Sequence, residues 1–417
     1  MTKRIIAIIF IFVCTSMAWG ILGGTIFSRT YDSGVASSDR VESTWGTAQN
    51  QAPPTASFTT EVSKDEETIE YGVKKVKTVK TSYVTPLPLE SSKVDVDLDL
   101  EHRQKGLLWY STYKVGFAGV YTFRNPSDKE QLVDFKLQFP TAQAIYDNLT
   151  FSIDGVATNL STEKNSASSS VKIGAGKTAQ LVLGYRSQGL NEWRYSFGSS
   201  EVAQVRDFQL TMTTNFNDID FPDNTLSPTE KKQKNKGWEL TWNYRSLLSG
   251  YQIAMAMPEK LQPGPLAGKI SLFAPVSLFF FFFCMLIITT MRGIDLHPMN
   301  YFFLAAAFFS FHLLLAYLVD HVSIHASFAI ASAVSVFLVV SYLRLVVGIR
   351  FASREAALAQ FIYLVMFSYA FFLKGFTGLA ITIGSVLTLF VVMQVTGRVR
   401  WTEKFSMKEP TVASEMS

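Results

Sequence analysis

The chain has 417 residues, 48% of them hydrophobic, with a formal charge of +4 and two cysteines. So small a charge for this length gives no basis for nucleic-acid binding. Cys14 and Cys284 both fall in apolar runs, which argues against a disulfide or a thiolate site, and the crowding of apolar residues into the last third indicates a membrane protein with a water-soluble part.

The first apolar run, IIAIIFIFVCTSMAWGILGGTIF (5–27), follows Lys3 and Arg4. Ser16-Met17-Ala18 resembles a small-x-small cleavage site, yet the run continues apolar past it. It is long enough to cross a hydrocarbon layer of about 30 Å, so residues 1–27 are expected to stay as an uncleaved anchor. Residues 28–72 are rich in Ser, Thr, Ala, Gly and Pro without a sustained apolar period, which predicts a flexible tether.

From about residue 73 the period becomes two. LVDFKLQF (132–139) alternates Val133, Phe135, Leu137 and Phe139 with Asp134, Lys136 and Gln138. LTFSIDG (149–155), AQLVLGYR (179–186), FQLTMTTNF (208–216), WELTWNY (238–244) and YQIAMAM (251–257) alternate similarly. Repeated short strands of this kind predict antiparallel sheets in a sandwich-like all-β domain over residues 73–268. IGAGK (173–177) fits a hairpin turn.

Two stretches of this domain imitate binding motifs. GAGKT (174–178) lacks the upstream glycine of a phosphate loop, because Val171 stands there, and it joins strands instead of opening a helix. VDVDLDLEH (94–102) places Asp95, Asp97 and Asp99 at alternate positions like a calcium loop. The sixth residue from Asp95 is Leu100 and the twelfth is Gly106, so a half-exposed strand explains it better. His102 is the domain's one histidine, and a Ser-His-Asp hydrolase would have to be built around it.

Five further apolar runs follow near 270–291, 301–319, 327–348, 356–373 and 376–397, each about the ~20 residues a span needs. With the N-terminus in the cytoplasm, one side carries Lys3, Arg4, Arg292, Arg344, Arg350, Arg354, Arg398, Arg400 and Lys404. The other side carries Arg29, Lys269 and Lys374. Nine charges against three orient the chain with both termini cytoplasmic and residues 28–268 outside the cytosol. The loop RGIDLHPMNYFF (292–303) is then cytoplasmic, with Pro298 suited to the first turn of the next helix.

Polar residues within the membrane part are the candidate functional positions: His297, His312, Asp320 and His321. His312 lies near mid-span, with Ala316 and Asp320 on the same helical face at spacing four. A polar group at that depth is a candidate site by default, although a lone His among Phe, Ser and Leu also serves as a hydrogen bond between helices. His321 and His325 could share a metal ion if the helix continued that far; an anchoring role at the end of the span is the simpler reading.

LHPMNYFFLAAAFFSFHLLLAYLVDH (296–321), YLRLVVG (342–348) and GSVLTLFVVMQVTGRVRW (384–401) together resemble the membrane domain of the CreD family of bacterial inner-membrane proteins. The resemblance covers about residues 269–401 and is looser in HRQKGLLWYSTYKVGFAGVYTF (102–123) and GWELTWNYRSLL (237–248). It implies a multi-pass inner-membrane protein tied to envelope integrity and stress response, with no established catalytic residue.

The resulting expectation is a membrane α-helical protein of six spans plus an extracytoplasmic all-β sandwich-like domain. The anchor, the tether and the β domain precede a five-span membrane domain over 269–397 and a cytoplasmic tail over 398–417. The expected partners are the lipid bilayer and an envelope protein or lipid, with no enzyme activity, cofactor, metal or nucleic acid. The alternative is a small-molecule or ion transporter using the polar residues of the 301–325 helix.

Overall fold

The computed structural model describes residues 2–397 and 399, except 71, 72, 106, 107, 164 and 199–202. Apart from residue 399, the tail expected over 398–417 lies outside the described residues. The chain divides into two compact units. One comprises Met1–Val35, Gly106–Leu108 and Leu261–Ser417, the other Ala36–Lys105 and Trp109–Lys260.

The first unit is helical. Six stretches are long and apolar enough to span a membrane: Lys3–Tyr31 within α1 (Thr2–Trp45), α2 (Pro263–Arg292), α3 (Pro298–Leu318), α4 (Ile324–Val346), α5 (Ile349–Phe372) and α6 (Thr377–Thr396). They fall within seven residues of the runs read from hydropathy, because a span is dictated by local composition. α5 is the least regular, with π-helical turns at Ala352–Ala356 and Phe361–Met366. The α2–α3 loop opens on Gly293 in the left-handed conformation (φ 68°) and closes on Pro298 at the start of α3.

The spanning stretch of α1 is an integral part of this unit. A Cβ on Gly23 would lie 2.8 Å from Cγ of Leu272, and one on Gly268 would lie 3.0 Å from the Phe27 ring. Glycine therefore sets how closely α1 and α2 approach, as small residues do between membrane helices. Trp19 is fully buried in the core that Phe281, Tyr301 and Phe308 also fill.

The second unit is built of strands. In chain order they begin with β1 (Gln49–Gln51), β2 (Thr55–Glu70), β3 (Val73–Pro86), β4 (Leu89–Lys105) and β5 (Leu108–Arg124). There follow β6 (Gln131–Gln138), β7 (Asp147–Ile153), β8 (Val156–Ala157), β9 (Ser161–Glu163), β10 (Ser166–Ile173) and β11 (Thr178–Leu190). The last are β12 (Glu192–Tyr195), β13 (Ala203–Thr214), β14 (Glu230–Lys234), β15 (Gly237–Ser249) and β16 (Ile253–Ala256).

They form a five-stranded sheet of order β3-β2-β6-β10-β9, an eight-stranded sheet of order β14-β15-β13-β4-β5-β11-β7-β8, and a small sheet β1-β12-β16. Alternation decides which face is buried: on β6, Val133, Phe135 and Leu137 point into the core, while Asp134 and Lys136 point out. Phe135 meets Phe123 of the eight-stranded sheet edge-on at 5.6 Å, so the two large sheets share one core in the manner of a sandwich. Burying each such side chain contributes roughly 1.5–3 kcal/mol.

Three sequence expectations need correction. Residues 28–72 are not a tether: α1 continues to Trp45, and β1 and β2 follow it into the sheets. Val41 is buried, and the Trp45 ring lies 3.5 Å beneath the Arg103 guanidinium, contacts that composition could not reveal. The sheets are mixed, because β13 pairs parallel with β4 and β1 parallel with β12. The IGAGK turn is no hairpin either, since β10 belongs to the five-stranded sheet and β11 to the eight-stranded one.

Candidate functional site

In the membrane unit the polar residues are spread along α3. His297 lies just before it, and its Nδ1 accepts the Met299 amide at 3.2 Å as an N-cap. His321 is exposed in the turn after α3. At ~1.5 Å per residue these two stand about a full span apart, and His312 and Asp320 about 12 Å apart along the helix. The structure therefore brings none of the four together. α3 ends at Leu318, so His321 and His325 do not share a helix; the His325 ring lies 5.2 Å from that of Phe372. No metal-binding cluster occurs among the described residues.

Each of the two central groups meets α1. His312 is fully buried, with the Trp19 ring 5.5 Å away edge-on and Phe311 at 4.8 Å. Its Nδ1 lies 3.3 Å from the Phe308 carbonyl of its own helix. Among the described residues no hydrogen bond joins it to another helix, so the tie read from sequence is corrected to a ring contact. His312 Nε2 and Trp19 Nε1 have no hydrogen-bond partner among the described residues. Asp320 pairs with Arg29 at 3.3 Å, while Arg29 also donates to the Ala316 carbonyl at 2.9 Å and lies 5.4 Å over the Tyr317 ring. At the opposite end of the first span, Arg4 pairs with Asp295.

Hydrogen bonds between the other helices come from residues that sequence reasoning passed over. Gln360 donates to Ser335 at 2.9 Å, and Ser335 to the Ala307 carbonyl at 2.6 Å, linking α5, α4 and α3. Cys284 donates to Tyr363 at 3.2 Å and Tyr363 to Thr388 at 3.0 Å, linking α2, α5 and α6. The available signal was Gln360 inside an apolar run, and Arg29 at the end of the anchor at the depth of Asp320, just after α3.

The sheet unit carries a concave feature of its own. On β4 the core takes Val94, Val96 and Leu98, so Asp95, Asp97 and Asp99 face outward, as alternation requires. Asp97 and Asp99 join Lys114, Asp147, Arg186 and Lys236 around a cavity of about 790 Å³ on the eight-stranded sheet. A second hollow of about 610 Å³ shares Ile145 and Gln188 with the first and reaches Asp39, Glu42 and Trp45. Both signs of charge thus line one open groove. Beside it, burial raises the Glu101 carboxyl, but hydrogen bonds and charge from Arg103 and Lys114 outweigh this and hold it below the usual range.

The remaining polar groups of this unit serve the fold. Tyr185 donates to Gln51 at 2.5 Å and Tyr113 to the Glu192 carbonyl at 2.8 Å, while burial raises both phenols. His102 Nε2 and Ser111 Oγ lie 2.9 and 2.6 Å from the same Pro258 carbonyl. They clamp that carbonyl, and Ser111 spends its proton on it instead of presenting a nucleophile to His102.

The family whose description is "Inner membrane protein CreD" matches residues 1–402, a longer stretch than the resemblance in the membrane part alone. A comparison with curated proteins finds no match. Among solved structures, a protein from Legionella pneumophila described as a candidate nutrient binder is similar with 8% identity and a TM-score of 0.33. That similarity covers 57% of this chain and 76% of the other. An M1 zinc metallopeptidase from Deinococcus radiodurans is similar with 12% identity and a TM-score of 0.25, over 40% of this chain and 42% of the peptidase. Scores this low carry no argument about function.

Proposed function

Because this chain belongs to the CreD family of inner membrane proteins, we propose that it is a non-enzymatic envelope-integrity protein whose sheet domain faces the periplasm and binds an envelope partner. The excess of Lys and Arg at one set of span ends supports that orientation. The observation that carries the reading is the groove on the eight-stranded sheet, where Asp97, Asp99 and Asp147 face Lys114, Arg186 and Lys236. Charges of both signs in one open concavity suit a polar protein or lipid headgroup better than an apolar molecule.

The test is complementation of envelope-stress sensitivity by Asp97→Lys with Asp147→Lys, and separately by Arg186→Glu, with membrane abundance measured in parallel. Loss of complementation at normal abundance is expected. Full complementation by both groove variants would remove the groove from function.

A second reading, transport through the bundle, is favoured by one observation: the unpartnered Nε2 of His312 at full burial. The rings of Trp19, Phe308 and Phe311 surround it. Titration of His312 would be essential to such transport and dispensable to binding through the groove.

A further inference from the structure

The five-stranded sheet ends in a long two-stranded ribbon. β2 pairs with β6 only over Thr55–Phe58, whereas its pairing with β3 continues through twelve more register pairs, from Thr59↔Val84 to Glu70↔Val73. At ~3.4 Å per residue the ribbon is about 40 Å long. Along it the outer edge of β3 has no neighbour, and neither does the far edge of β2 beyond Phe58, among the described residues. An isolated two-stranded ribbon is marginally stable in water. Near its root Val62, Tyr83 and Val84 remain 47, 57 and 68% exposed.

The two strands differ in charge. Residues 61–70 of β2 carry Glu61, Asp65, Glu66, Glu67 and Glu70 against Lys64, a net −4, and residues 73–80 of β3 carry Lys74, Lys75, Lys77 and Lys80, a net +4. Charge on an edge strand commonly guards against unwanted pairing, and that guard works by repulsion between like charges. Here the two strands have opposite net charge in sequence, so β2 of one copy is complementary in charge to β3 of a second.

We propose that copies of this protein associate side by side through the ribbons, β2 of one copy adding to β3 of the next. When two ribbons point the same way, β2 and the neighbour's β3 run antiparallel. The contact then extends the sheet with the pairing already present inside each ribbon. The contact joins unlike edges, so it generates a ring or a row. This does not depend on the groove.

The test uses two differently tagged full-length chains, co-expressed, solubilised in detergent and captured by one tag at low salt. The swapped chain carries Asp65→Lys, Glu66→Lys and Glu67→Lys with Lys74→Glu, Lys75→Glu and Lys77→Glu, which reverses the sign of each strand and keeps the overall charge. Wild type should capture wild type, and swapped should capture swapped. Mixed capture should fall by about tenfold, since strands of like net charge would then have to pair. Equal capture in every combination, or no wild-type self-capture, overturns the proposal. So does a folded swapped chain that fails to capture itself. Should the sixfold swap misfold, Asp65→Lys, Glu66→Lys and Glu67→Lys alone take β2 from −4 to +2 beside an unchanged β3; that chain should fail to capture itself, and undiminished self-capture overturns the proposal.

Discussion

The indole of Trp19 on α1 meets the imidazole of His312 on α3 edge-on at 5.5 Å, and both side chains are fully buried. Through this contact the first span closes the core of the membrane unit. Trp19→Ala would leave a cavity against Phe308 and Phe309 and should destabilise by roughly 3–5 kcal/mol. Trp19→Phe should lose much less. Thermal aggregation in detergent distinguishes them, and equal midpoints for Ala and wild type would show that α1 is not packed there. The purified protein should also retain α1, as its mass would report.

Among the described residues His312 bonds only to its own helix, at 3.3 Å, so its ring packing outweighs its hydrogen bond. His312→Gln and His312→Leu should each change stability by no more than about 1 kcal/mol and should both complement. Variants that accumulate normally yet fail to complement would favour the transport reading, because neither Gln nor Leu titrates.

Arg29 and Asp320 are unequal partners. Their side chains are 33 and 26% exposed, so the ion pair itself contributes about 0–1 kcal/mol. Arg29 also bonds the Ala316 carbonyl and covers Tyr317. Arg29→Ala should therefore lower the melting midpoint more than Asp320→Asn. The reverse order would mean that the carboxylate, and not the guanidinium, organises this end of the bundle.

Alkali should unfold the sheet domain. Burial raises the phenols of Tyr113, Tyr121, Tyr185 and Tyr195, and that of Tyr146 to about 12. The folded domain keeps these groups neutral, whereas an unfolded chain ionises them near pH ~10. Their contribution is fully present below pH ~10 and is lost as pH rises above it towards the folded values. Phenolate absorbance should appear together with loss of β-type circular dichroism. Free titration near pH ~10 without unfolding would contradict this burial.

A fragment of residues 36–260 should fold alone, with a β-type spectrum and a cooperative melt. A fragment starting at residue 73 should not. It lacks β1 and also β2, which joins β3 to β6 and sends Ala56 and Phe58 into the core. Equal melts would show that the first two strands are dispensable.

Reporter fusions after Gly293 and after Ser353 should read cytoplasmic, and fusions within residues 109–260 periplasmic, from the distribution of Lys and Arg. A periplasmic signal at Gly293 would invert the proposed topology.

The sequence by itself determined the features set by neighbours in the chain. Hydropathy located the spans to within seven residues at their ends. Period-two alternation placed Val133, Phe135 and Leu137 inside, and Asp95, Asp97 and Asp99 outside, because a strand's faces follow from its pleat. The parallel seating of β13 beside β4, the passage of IGAGK between two sheets and the recruitment of β1 and β2 are pairings between distant segments that no local period encodes. The same holds for the candidate sites. His312 and Asp320 were visible as polar residues on an apolar helix, but Trp19 and Arg29 lie nearly three hundred residues away. Only the packing of α1 along α3 decided that the imidazole meets a ring and the carboxylate meets a guanidinium.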